Sequence, residues 1–328
     1  MEQIIIPGTG LTVTTVGLGS SHFGTETDPD TSFRILDAWA EKGGNLIDTA
    51  HVYGASRPEE ESPSEKTIGN WLRATGKRDR IVLCTKGGHP VMDPVTRSFG
   101  TPRVTPEALQ HDLDMSLSAL QTDYVNLYLP HRDDVNVPVG EILEWLEEQV
   151  RLGKVRYYGC SNWTAERMWD AAEYAREHGL RGFVCDQLAA PLGVFLRGFL
   201  EHTDMTYLDP DIREFHEKTQ TAVMSAMSLN NGYFHKLLSG SPVPDWPGVL
   251  YKCPSNERIA EKLRELTAEG IPLNAILYRF IMSWDFPTIA LMGFSSVSQL
   301  EDVLKDLDAE VPEDALSELR ELRGAGAE

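Results

Sequence analysis

A chain of 328 residues with 30 Lys+Arg against 50 Asp+Glu carries a formal charge of −20 with histidine neutral. Its 41% hydrophobic and 24% charged residues suit a folded protein and are too apolar for a disordered one. The acidic balance, with no block of Lys/Arg to offset it, excludes a binder of the nucleic-acid backbone.

The opening MEQIIIPGTGLTV has no basic region, and its apolar run stops at Pro7-Gly8, so no secretory leader is expected. No run reaches the roughly 18 apolar residues of a membrane span. The most apolar stretch, 275–294, is broken by Arg279, Asp285 and Pro287. Cys84, Cys160, Cys185 and Cys253 stand far apart, three of them in strand-like runs. That pattern predicts buried free thiols, a reducing cytoplasmic location and no zinc site.

Residues 4–6 and 11–13 flank Pro7-Gly8-Thr9-Gly10 and predict a small hairpin. Short apolar runs then recur at 16–20, 46–50, 81–86, 124–130, 155–161, 183–188, 222–227 and 288–293. Helical segments are expected between them at 31–42, 64–74, 106–120, 139–152 and 165–177, and later at 256–269, 273–284 and 297–307. Ile142, Trp145, Leu146, Val150 and Leu152 make an apolar stripe of helical period, and Thr164 and Ser296 stand where N-caps belong.

Strand and helix in alternation imply parallel strands with crossover helices. Eight such units closing on themselves predict a (β/α)8 TIM barrel, with the N-terminal β-hairpin outside it and long loops at the C-terminal face. An open doubly wound sheet is the rival, but Gly17, Gly19 and Gly24 have the wrong spacing for a dinucleotide fingerprint. No linker divides residues 1–328, which are therefore expected to form a single domain. The irregular stretches 87–105, 189–209 and 240–255 each follow a predicted strand, and the acidic tail 312–328 reads as a surface helix with a frayed end.

Ionisable residues cluster at predicted strand ends. Asp48 and Tyr53 lie in NLIDTAHVYG, Lys86 in LCTKGG and His131 in LYLPHRD. In a barrel these ends converge on one mouth. An ammonium beside a tyrosine hydroxyl favours the phenolate, which is expected to lower the Tyr53 pKa, and a paired Asp satisfies the lysine. A nearby His can donate to a substrate oxygen. Singly, each residue could be a cap, a core-edge aromatic or a solvated side chain; four at successive strand ends are hard to attribute to chance.

This set resembles the aldo-keto reductase superfamily, and the likeness extends through VGLGSSHFG, GKVRYYGCSN and the final strand and helix. The resemblance implies metal-free interconversion of a carbonyl and an alcohol with NADP(H). It casts Tyr53 as general acid/base, Lys86 and Asp48 as its tuning partners and His131 as the residue that orients the carbonyl. Ser161, Asn162 and Gln187 fall at positions that hold the nicotinamide carboxamide, and Gly293, Ser295, Ser296, Gln299 and Asp302 at the adenosine end.

Two departures stand out. Relatives carry an aromatic that stacks on the nicotinamide where this chain has Ala226, with Tyr233 or Phe234 as replacements from the next loop. They also carry a base for the adenosine 2′-phosphate, and none occurs among residues 293–299. Weak discrimination against NAD(H) is therefore expected, unless Lys236 or Lys252 reaches the phosphate.

The substrate-lining segments are expected at His22, Phe23, 89–103, Arg132, 195–207 and 246–251. Their mix of aromatic and polar residues favours a sugar or polyol carbonyl. The alternatives are a cofactor-binding barrel that turns over slowly as a sensor or subunit, and a hydrolase or lyase that would leave Ser161, Asn162 and Gln187 without a role.

Overall fold

The computed structural model describes residues 1–55, 60–91, 100–203, 205–324 and 326–328, with backbone alone at 199, 201, 202, 246 and 247. The hairpin is present: β1 (Gln3–Ile5) pairs antiparallel with β2 (Thr12–Thr14), Ile4 opposite Val13.

The alternation follows. β3 (Val16–Gly19) leads to α1 (Pro29–Glu41), β4 (Leu46–Asp48) to α2 (Pro63–Thr75), β5 (Val82–Gly87) to α3 (Pro106–Leu120), and β6 (Val125–Pro130) to α4 (Val139–Arg151). Next come β7 (Val155–Tyr158), β8 (Cys160–Ser161) and α5 (Ala165–His178). β9 (Cys185–Ala189) is followed by α6 (Arg197–Thr203) and α7 (Pro210–Thr219). β10 (Ala222–Ala226) is followed by α8 (Tyr233–Leu238), α9 (Asp245–Tyr251), α10 (Pro254–Ala268) and α11 (Leu273–Met282), and β11 (Thr288–Gly293) by α12 (Val297–Asp306) and α13 (Glu313–Arg323). Thr164 and Ser296 cap their helices as expected, accepting from Arg167 N and Gln299 N.

All sheet pairings outside the hairpin are parallel, in the order β7-β6-β5-β4-β3-β11-β10-β9-β8. The two edge strands are consecutive in the chain, broken only at Gly159. They are therefore one bent strand, and the sheet closes into an eight-stranded (β/α)8 barrel. Gly159 is required there, because a Cβ would lie 2.3 Å from Cys185 O.

Strand alternation sorts the side chains. Ile47, Leu83 and Val223 face the helices, while Leu46, Cys84, Leu127, Leu129, Cys185 and Met224 fill the barrel interior together with Ile6 and Val13 of the hairpin region. Counting on by two from these inward residues reaches Asp48, Lys86, His131 and Gln187 at the carboxyl mouth.

Helices α6, α7, α8 and α9 occupy stretches in which no helix is evident from periodicity. α7 buries only Ile212, Phe215 and His216, too few to mark a stripe. The tail also differs from expectation. α13 buries Ala315, Leu316, Leu319 and Arg323. Its end pairs with the loop after β9, with Phe195 N donating to Gly326 O at 3.0 Å and Glu328 N to Phe195 O at 2.9 Å. No helix among the described residues is long and apolar enough to cross a membrane, and all four cysteines are buried and free.

Candidate active site

Lys86 ends β5 with no exposed surface. Its Nζ donates to both oxygens of Asp48 at 2.8 and 2.9 Å, to Thr49 O at 2.8 Å and to Tyr53 Oη at 3.3 Å. Burial opposes the ammonium, but Asp48 and Tyr53 more than offset it and raise the Lys86 pKa. Gln187 Nε2 also donates to Asp48, at 2.8 Å. The Asp48 carboxylate is thus pinned by an ammonium from the adjacent strand β5 and by an amide from the more distant β9.

Tyr53 sits in the turn before α2, held by Ser62, whose hydroxyl donates to Tyr53 O at 2.9 Å. Its ring lies 5.8 Å from that of His131, edge to face. Desolvation raises the Tyr53 pKa, and the opposing effect of Lys86 does not overcome it. The expected lowering is therefore not found: burial outweighs the nearby cation and keeps the hydroxyl protonated. Burial, with His89, Arg132 and Lys86 close by, drives the His131 pKa well below its usual range, so this imidazole is neutral. Its Nδ1 is buried and has no partner among the described residues.

Ser161, Asn162 and Gln187 join this centre. Asn162 takes a left-handed φ of 59°, which turns its amide back so that Nδ2 donates to Ser161 Oγ at 2.9 Å and His131 O at 3.3 Å. Ser161 Oγ donates to Gln187 O at 2.9 Å, and Thr206 N to Asn162 Oδ1 at 3.3 Å. The buried Thr206 Oγ1 beside them has no partner among the described residues. Amide and hydroxyl groups of both polarities around an unused hydroxyl fit a nicotinamide carboxamide, which needs donors and acceptors together.

The adenosine-end candidates form a separate group. Gly293 pairs with Gly19, and Gly19 with Asp48, so one hydrogen-bonded row connects the two groups. Gln299 Oε1 accepts from Ser295 N at 2.8 Å and Ser295 Oγ at 3.1 Å, while Ser296 Oγ caps Gln299 N. The exposed Asp302 pairs with Lys305 at 2.7 Å, and Lys42 with Glu301 at 3.6 Å. Lys305, in the last turn of α12, and Lys42, just after α1, are thus both held by acids.

Ala226 is half-buried at the end of β10. Tyr233 and Phe234 do not replace an aromatic there: both are packed in the core, Tyr233 against Tyr251 at 5.5 Å. Lys236 and Lys252 are exposed. Among the expected lining, Phe23 and Phe195 are core residues, His22 pairs with Glu26 at 3.2 Å, and Arg132 Nη1 donates to His131 O at 2.9 Å. Positions 92–99 and 204 and the Trp246 side chain lie outside the described residues.

Sequence reasoning placed His89 and Arg103 only at the two ends of a broad lining segment and missed Asp112 and Glu65. Asp112 Oδ2 accepts from Gly88 N at 2.8 Å, and Arg103 brackets Asp112 at 3.1 and 3.2 Å. His51 approaches Asp112 at 3.7 Å. An acid on the apolar face of an amphipathic helix, as Asp112 is on α3, was the available signal.

The closed barrel thus gathers Asp48, Tyr53, Lys86 and His131 at one mouth, the arrangement of a barrel enzyme's site. The chain matches the Aldo/keto reductase family over residues 15–323 and belongs to it. It is 29% identical to the uncharacterized oxidoreductase YrpG of Bacillus subtilis across all of this chain and 98% of that protein. It is 35% identical to norsolorinic acid reductase B of Aspergillus parasiticus over 55% of this chain and 48% of that protein. It is 32% identical to an aryl-alcohol dehydrogenase [NADP(+)] of Phanerodontia chrysosporium, again over 55% and 49%. The chain thus spans about half the length of these fungal relatives. Family membership carries carbonyl reduction in general and use of a nicotinamide cofactor.

Proposed function

We propose that residues 1–328 act as one catalytic unit that reduces a small carbonyl compound to an alcohol, or runs the reverse reaction, with Tyr53 as general acid/base. The observation that carries this reading is the Lys86 ammonium bonded at once to Asp48 and to Tyr53 Oη. A bound nicotinamide would supply or accept the hydride. Tyr53 delivers its proton to the oxygen that becomes an alkoxide. Lys86 steadies the phenolate left behind, and Asp48 keeps Lys86 charged and in place. Neutral His131 donates to the same substrate oxygen and polarises it. Ser161, Asn162, Gln187 and Thr206 are the residues that would hold the carboxamide. The Tyr53→Phe variant is expected to lose about 10²- to 10⁴-fold in turnover, the span of general acid–base catalysis, while its cofactor titration stays near that of the parent. Turnover at the parent rate would refute the assignment.

The cofactor is read as NADP(H) with NAD(H) accepted. The exposed start of α12 offers hydroxyls and one amide but no unpaired base among its described contacts, so a 2′-phosphate gains little there. Fluorescence titration is expected to give NADPH and NADH affinities within about tenfold, a difference of about 1.4 kcal/mol. A preference of a thousandfold for NADPH would overturn this.

A further inference from the structure

The start of α2 is polar and buried at once: Ser62, Ser64 and Glu65 have no exposed surface. Each reaches a different part of the candidate site. Ser62 Oγ donates to Tyr53 O at 2.9 Å and accepts from Glu65 N at 3.2 Å. Ser64 Oγ lies 2.9 Å from Thr49 Oγ1 and 2.8 Å from Ser20 Oγ, which donates to Asp48 O at 2.8 Å. The Glu65 carboxyl accepts the hydroxyl of Thr85, the residue before Lys86. One helical turn therefore fastens the segments that carry Asp48, Tyr53 and Lys86, and Glu65 is its one ionisable member.

The carboxyl is poorly placed to hold a charge. Its Oε2 is buried with no hydrogen-bond partner among the described residues. An ionised group in that position leaves acceptors unmet, so the packing favours the neutral acid. Strand alternation puts Thr85 and Lys86 on opposite faces of β5, with Glu65 on the Thr85 side. Lys86 of β5 favours its ionisation, whereas Asp112 of α3 opposes it. Asp112 is itself gripped by Arg103 and approached by His51. Ser116 of α3 and Tyr128 of β6 complete the surroundings. Burial is the largest influence and pushes the Glu65 pKa up to about 7. Tyr53 and Lys86 are shifted upward and His131 well downward, so these three keep their protonation states between pH 6 and 8.

We propose that Glu65 is a positioning residue of the proton-transfer centre: as a neutral acid it seats α2 and leaves the Lys86 charge to Tyr53, and as a carboxylate it slows reduction. This rests on the carbonyl-reductase reading above and adds control by pH to the same site. As hydride reaches the carbonyl carbon, Tyr53 gives its proton to the substrate oxygen, and the phenolate left behind needs the Lys86 charge. A carboxylate across β5, added to that of Asp48, weakens the positive potential at the phenolate. Glu65 exchanges no proton with the substrate.

The test follows the single-turnover rate of NADPH oxidation by the full chain from pH 5.5 to 8.5, with 4-nitrobenzaldehyde and glyceraldehyde as carbonyl probes. The parent rate is expected to fall by about 3- to 10-fold through a midpoint near pH 7. NADPH affinity should not follow this step, because Glu65 bonds to none of the residues proposed to hold the carboxamide. Glu65→Gln should lose the step. Thr85→Val removes a donor that favours the carboxylate and should move the step to higher pH, a shift that loosened packing alone would not produce. A parent profile flat across pH 7, a step that survives Glu65→Gln, or a step unmoved by Thr85→Val overturns the inference. So does a step in NADPH affinity in place of one in rate. Turnover that depends on Tyr53 upholds the reductase reading in each of these cases, whereas no turnover of either aldehyde overturns both.

Discussion

Glu65 occupies the first turn of α2 with no exposed surface, and its carboxyl accepts the Thr85 hydroxyl one residue before Lys86. Burial raises its pKa from 4.5 to about 7. A group whose folded pKa is raised favours the native state fully below its unfolded value, and that advantage is lost as the pH rises through the folded value. Between about pH 4.5 and 7, Glu65 therefore costs the folded protein about 3 kcal/mol. Glu65→Gln keeps an acceptor for Thr85 without the buried charge. Urea unfolding should find it level with the parent at pH 4.5 and more stable by about 2–3 kcal/mol at pH 8; a gap that does not change with pH would show that Glu65 titrates alike in the folded and unfolded chain. The Lys86–Asp48 pair behaves in the opposite way, since each charge is the other's compensation. Lys86→Met alone should lose about 3–5 kcal/mol by stranding a buried carboxylate, and adding Asp48→Asn should recover much of that. A double variant no better than the single one would place the loss in packing instead.

Elements were legible where an apolar period ran long enough. The eight barrel strands and the helices that cover them follow from short apolar runs and amphipathic stripes, because parallel strands buried on both faces cannot be polar. The same logic exposes the candidate site: in 46–48, 82–86 and 185–187 the inward positions are apolar up to the last one, which is Asp48, Lys86 or Gln187. Helices α6 to α9 were not legible, because they are short and their burial depends on contacts with distant segments. The Tyr53 pKa was misjudged for a related reason: sequence shows which charges are near but not how much water is excluded. Arg323 is a further case, read in the sequence only as part of a frayed tail. Its buried guanidinium donates to Pro191 O at 3.0 Å and twice to Leu208 O at 3.3 Å, and so ties α13 to both ends of the loop after β9. That loop delivers Thr206 N to Asn162. Arg323→Leu strands these carbonyls and is expected to cost about 2–3 kcal/mol in denaturant unfolding. A loss under 0.5 kcal/mol, the scale of ordinary surface changes, would mean the tail fastening β-pairs alone hold the loop.

At the scale of the molecule the dominant fact is the net charge of −20. Many of the bases are already committed: Lys42, Lys66, Lys77, Lys86, Lys154, Lys218, Lys262 and Lys305 each pair with an acid. The surplus carboxylates repel one another across the surface, and such self-repulsion weakens the compact state. Exposed pairs are individually worth little, so salt takes away little when it screens them. Repulsion summed over 20 unbalanced charges loses more under the same screening. Raising NaCl from 10 to 300 mM at pH 8 shortens the Debye length from about 30 Å to under 8 Å. The Tm is therefore expected to rise by a few degrees, about what 1 kcal/mol produces in a chain of this size. Choline chloride at equal ionic strength should produce the same rise, because the effect is one of screening and not of sodium binding. A Tm that falls with salt would show that the surface ion pairs outweigh the excess of acids.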